Sequence, residues 1–126
     1  MPEASTDVAR WVEVGHSNAA HAYQAGRDAA AAALRGPGAK LLVVFCSDSY
    51  DLAELVAGVR AEAGEIPLVG CSTAGEIATG GPDDASVVIV AFGGSGFSIA
   101  THAATGVAGR LREAGEEVAG CIAEID

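Results

Sequence analysis

Leu41-Leu42-Val43-Val44-Phe45-Cys46-Ser47-Asp48-Ser49-Tyr50-Asp51 passes from an unbroken apolar run into small polar and acidic residues. The run from Leu41 to Phe45 shows no alternation and is too short for a helix face. It reads as a strand buried on both faces in a parallel sheet. Asp51, with Glu54 three residues on, makes a capping pair for a helix that starts there. Leu52, Leu55, Val56 and Val59 supply the buried face of that helix, which should end near Gly64. Ile66 to Val69, around Pro67, then reads as another short strand.

Upstream, Trp11 to Val14 alternate around Glu13 as a short strand ended by Gly15-His16-Ser17-Asn18, with Ser17 or Asn18 as the next helix cap. From Ala19 to about Leu34, Ala22, Gly26, Ala29 and Ala33 recur at helical spacing, a small-residue stripe that lets a helix lie close to a sheet. Arg35-Gly36-Pro37-Gly38 stops it. Strand, helix, strand, helix, strand is the pattern of a parallel sheet with right-handed crossovers.

After a bend from Gly70 to Gly75 the pattern changes. Glu76 to Thr79, Ser86 to Phe92 and Phe97 to Ala103 read as strands in antiparallel hairpins, joined by Gly80–Asp84 and Gly93–Gly96. Thr105 is expected to cap a last helix carrying Val107, Leu111, Ala114, Val118, Ile122 and Ile125. The expected fold class is α/β: a partly parallel, mixed sheet with flanking helices, in the order β-α-β-α-β-β-β-β-α. Residues 1–126 suffice for a single domain.

Seven basic against seventeen acidic residues give a net charge of −10, which repels nucleic acid. No apolar run approaches the ~18 residues of a membrane span, and residues 1–7 lack the features of a secretory signal. A cytoplasmic protein with neither nucleic acid nor membrane as partner is expected. Cys46, Cys71 and Cys121 cannot all pair, and none sits in a metal-binding spacing; reduced thiols, no metal and no cofactor follow.

In open α/β sheets, ligands gather beyond the carboxyl ends of the strands. If the first three strands are parallel, Gly15–Asn18, Cys46–Ser49 and Gly70–Thr73 open on one edge. The candidate ligand-binding residues are Ser17, Ser47, Asp48, Gly70, Cys71, Ser72, Thr73, Gly75 and Glu76. The hydroxyls and thiol supply hydrogen bonds, Gly70 and Gly75 permit close backbone approach, and Asp48 or Glu76 can hold an ammonium. Gly70-Cys71-Ser72-Thr73-Ala74 departs from the G-x-S-x-G hydrolase elbow at Ala74, so no catalytic residue is assigned. Two alternatives stay open: a thiolate enzyme using Cys71 with His16 or His102, and a scaffold or oligomerisation module.

LLVVFCS, then LVGCSTAGEI, then SVVIVAF, in that order, resemble the N-terminal module of the FIST domain, which pairs a "vlvF.S" strand with a "GcstaGei" turn and a later valine-rich strand. The resemblance implies an intracellular sensory module that binds a small ligand, amino acids being the family's suggested ligands, and signals to an output domain or partner protein outside this chain. It further implies that the module continues beyond these residues, so that the domain is a short form of the family's module. A homodimer completing the layer is the corresponding partner expectation.

Overall fold

The structure, a computed structural model, describes residues 8–74, 76–78, 81–83 and 85–125, with 76–78 and 81–83 described by their backbone. Its elements are β1 (Trp11–Ser17), α1 (Ala22–Ala33), β2 (Ala39–Ser47), α2 (Leu52–Ala63), β3 (Leu68–Thr73), β4 (Glu76–Ala78), β5 (Gly81–Asp83), β6 (Val87–Gly93) and α3 (Leu111–Ala119), followed by a 3-10 turn, Gly120–Glu124. The order β-α-β-α-β-β-β-β-α is the expected one. The chain forms two compact units, up to Gly96 and from Phe97.

In the first unit the sheet order is β1-β6-β2-β3. β6 runs antiparallel to β1 and to β2, while β3 runs parallel to β2. β1, β2 and β3 therefore share one direction, as the strand–helix alternation implies, but β6 is wedged between the first two. β4 and β5 form a separate antiparallel pair. β6 has a partner on each side, so a hairpin returning from it has no edge to join. This explains why Phe97 to Ala103, read as a strand, carries no regular structure.

Crossovers of one hand that advance in one direction across a sheet put their helices on the same face. α1 and α2 accordingly pack together against Leu42, Val44, Cys46, Val87, Ile89 and Ala91, all buried. The opposite face leaves Val12, Val14, Phe45 and Val69 exposed. Leu41 to Phe45 is thus buried on one face only, contrary to the reading of its unbroken apolar run.

The small-residue stripe does what its spacing suggests: Ala22, Gly26, Ala29 and Ala33 are all buried. A Cβ on Gly58 would lie 2.0 Å from the Tyr23 carbonyl oxygen, and one on Gly26 would lie 2.3 Å from that of Leu55. The two helices meet backbone to backbone. β1 closes on α1 in the same way, since a Cβ on Gly15 would lie 2.0 Å from the Ala29 oxygen. Arg27 Nε donates to Glu62 at 3.0 Å across the helix pair, which holds the guanidinium pKa above its usual value.

Several boundaries move. β1 runs on through Gly15 and His16 to Ser17, and α1 begins only at Ala22 with His21 at its cap position. Ser17 is not the cap; its Oγ accepts the Ala19 N–H at 3.2 Å inside the connection. α2 starts as expected, with the Asp51 carboxylate accepting the Glu54 N–H at 3.0 Å. Leu55 and Val59 are buried, but Leu52 is 53% exposed. β3 reaches Thr73, so the first four residues of the expected bend are strand.

In the second unit, residues 97–110 lack regular structure and α3 starts at Leu111, not after Thr105. Gly106 and Gly109 take φ of 60° and 78°, left-handed values that interrupt a helix there. Arg110 Nε donates to the Gly106 carbonyl at 3.1 Å and its Nη1 to the Glu117 carboxylate at 2.8 Å, tying that connection to the helix. Ala114 is buried, while Leu111, Val118 and Ile122 are exposed.

Candidate functional site

The shared direction of β1, β2 and β3 brings their carboxyl ends, Ser17, Ser47 and Thr73, to one rim of the sheet. Ser47 pairs with Thr73, and Val87 pairs with both Ser17 and Cys46, so the three ends are level to within one residue. Side chains alternate between faces along a strand. Ser47 and Thr73 thus share the open face with Phe45 and Cys71, whereas Ser17, Cys46 and Ser72 belong to the helix face.

Hydrogen bonds knit this rim. The Ser47 N–H donates to the Ser86 carbonyl at 2.9 Å, which carries the β2–β6 ladder one residue further. The Asp48 N–H donates to the Thr73 carbonyl at 3.1 Å, closing the β2 exit over the end of β3. Ser47 Oγ accepts the Ser49 N–H at 3.2 Å and lies 2.8 Å from Ser49 Oγ. The Tyr50 hydroxyl donates to the Ala19 carbonyl at 2.7 Å and also lies 3.2 Å from that of Ala85, so one phenol bridges the chain leaving β1 and the chain entering β6.

Ser17 and Ser47 are buried, Thr73 is half-buried, and Asp48, Cys71 and Ser72 are exposed. Cys71 and Ser72 lie on opposite faces, so the thiol and the hydroxyl beside it do not converge. At Gly70 the close backbone approach is to the neighbouring strand: a Cβ there would lie 2.0 Å from the Val44 carbonyl oxygen. Gly75 lies outside the described residues, as does the side chain of Glu76.

Two residues that sequence reasoning passed over belong to this rim. Tyr50 was simply part of a loop. Ser86 opens a strand in the sequence, yet its Oγ is fully buried with no hydrogen-bond partner among the described residues. Leaving such a group unsatisfied costs about 1–3 kcal/mol. Only pairing opposite Ser47 reveals it, because nothing in the local sequence marks a buried hydroxyl.

The same register separates Cys71 from His16. His16 pairs with Val88, Val88 with Phe45, and Phe45 with Cys71. Three strand spacings amount to about 14 Å, far beyond the reach of a base activating a thiol. Among the described residues, no group of three His, Cys, Asp or Glu is placed to hold a metal ion, and no helix is long and apolar enough to cross a membrane.

In the comparison with known families, the model of the FIST N domain matches residues 40–124. That span takes in Ser47 at the end of β2, Thr73 at the end of β3 and Ser86 just before β6. No curated protein matches the chain.

Proposed function

The chain belongs to the FIST N domain family, a family of sensory modules in signal transduction, and from that membership we propose that it binds a small intracellular ligand, an amino acid or a small carboxylate. The common rim of Ser17, Ser47 and Thr73 is the observation that carries this reading. Asp48, the Gly70 to Thr73 segment, Gly75 and Glu76 complete the proposed site. The buried hydroxyl of Ser86, without a partner among the described residues, adds support, since a polar group kept at a cost in stability is suited to a partner from outside the fold.

The module is proposed to work in the cytoplasm as a binding unit, not an enzyme, with no cofactor. Binding would shift the population of the connections that meet at the rim, and an output domain or partner protein would read that shift. Isothermal titration with the amino acids and with small carboxylates is expected to give at least one saturable isotherm at millimolar or lower concentration. A folded protein that binds none of them contradicts the proposal.

A second reading has one specific observation in its favour. The open sheet face exposes Val12, Val14, Phe45 and Val69, and β1 and β3 are both edge strands. Exposed apolar surface and unpaired edges suit self-association, so a homodimer is compatible with either function.

A further inference from the structure

β3 (Leu68–Thr73) pairs with β2 on one side and has no second strand partner among the described residues. Two hydrogen bonds fix which of its backbone groups face outward. The Pro67 carbonyl accepts the Leu42 N–H at 2.9 Å and the Thr73 carbonyl accepts the Asp48 N–H at 3.1 Å, so the odd-numbered positions of this stretch turn toward β2. Successive residues of a strand point to opposite edges, which leaves the N–H and C=O groups of Leu68, Gly70 and Ser72 directed away from the sheet. Open edges are commonly blunted by a charge, a proline or a bulge. β1, the other edge strand, carries Glu13, ion-paired with Arg35. Leu68 to Thr73 include no charged residue and no proline, and their register with β2 is unbroken.

On the helix face the same strand borders an apolar cleft of about 120 Å³, whose lining includes Leu52, Leu55 and Val56 of α2 and Leu68 and Gly70 of β3. A strand added beside β3 sends every second side chain to this face. An aliphatic side chain there covers the half-exposed Leu52 and gains its own transfer free energy. Charge selects the occupant. Glu65 lies three residues before β3, and Asp48 is held against its far end by the bond to Thr73; both are exposed. A second copy paired antiparallel along this edge brings Glu65 of one chain toward Asp48 of the other at both ends, and like charges opposed across a ladder destabilise it. A strand with a basic residue at each end meets an acid at each end instead, and the chain charge of −10 favours its approach.

We propose that β3 is the docking edge for an extended segment of a partner protein, with aliphatic residues at alternate positions and a basic residue at each end. The segment adds to the sheet antiparallel to β3, the more stable ladder. This holds whether or not the rim binds a small ligand.

The probe is the peptide KLTLTLK, acetylated and amidated. Titrated into the whole chain, it is expected to bind saturably at sub-millimolar concentration and to slow hydrogen exchange at the Gly70 and Ser72 amides by about tenfold or more, leaving the β1 amides unchanged. The same peptide N-methylated at its leucines keeps its side chains but loses the N–H groups that an antiparallel partner turns toward β3, and should bind about tenfold more weakly or worse. ELTLTLE, with its end charges reversed, should also bind about tenfold more weakly. Ser72→Pro removes an outward N–H and no bond to β2, so the chain should fold with nearly the wild-type Tm and lose the peptide. If that variant does not fold, the methylated peptide on the wild-type chain decides. Binding that survives leucine N-methylation, a bound state without protection at Gly70 and Ser72, or no binding at all overturns the proposal. A peptide-free dimer in which those two amides are already protected overturns it in favour of a second copy.

Discussion

Gly58→Val is expected to abolish cooperative folding of the N-terminal unit, or to lower its stability by about 3 kcal/mol or more. A Cβ at this position would lie 2.0 Å from the Tyr23 carbonyl oxygen and 3.0 Å from the Arg27 nitrogen. Both are backbone atoms of α1, so neither can swing aside as a flexible side chain would. Relief requires the helices to separate, which opens the layer formed by Ala25, Ala29, Leu55 and Val59, all fully buried. Urea unfolding measures the loss. Gly115→Ala is the control: nothing lies within 4 Å of a Cβ there, and alanine in a helix should be neutral or stabilising by about 1 kcal/mol. Equal effects at the two positions would refute the backbone contact between α1 and α2.

Gly70→Val should detach the edge strand β3 and leave the rest of the sheet paired. Its Cβ would fall 2.0 Å from the Val44 carbonyl oxygen and 2.9 Å from the carbonyl carbon, within the β2–β3 pair itself. β1 and β6 make no use of Gly70, and β2 keeps its ladder with β6 on the other side. Hydrogen exchange is therefore expected to accelerate at the amides of Leu68 to Thr73 by a factor of about 100 or more, since about 3 kcal/mol of local pairing free energy is lost. Amides of Val87 to Phe92 should remain protected. Ligand binding at the rim should disappear with β3, because Thr73 then leaves its place beside Ser47. Retained protection throughout β3 would show that the strand tolerates a side chain at Gly70.

Much of this architecture is legible in the order of residues. The alanine stripe gave α1 and its close packing, and Asp51 with Glu54 marked the start of α2. Strand–helix alternation gave the common direction of β1, β2 and β3. Three features were not legible, each because it depends on a partner distant in sequence. β6 inserts between β1 and β2 through pairing that no local period encodes. Leu41 to Phe45 is apolar on both faces, yet its period cannot report that both helices cover one face. Glycine at position 70 suggested a ligand-facing turn, but the atom it makes room for is the Val44 carbonyl oxygen, reached only when β2 and β3 pair. The hydroxyls of the candidate rim were visible as residues; that Ser86 joins them, and that Cys71 and Ser72 part company, follows from register.

The central claim is that β6 lies antiparallel between β1 and β2 and so brings Ser17, Ser47 and Thr73 to one rim. Nuclear Overhauser contacts between α-protons test it most directly. Cross-peaks are predicted between His16 and Val88 and between Cys46 and Val87, pairs that define the two sides of β6. Direct cross-strand contacts between β1 and β2, with either β6 set missing, would contradict the strand order and with it the common rim.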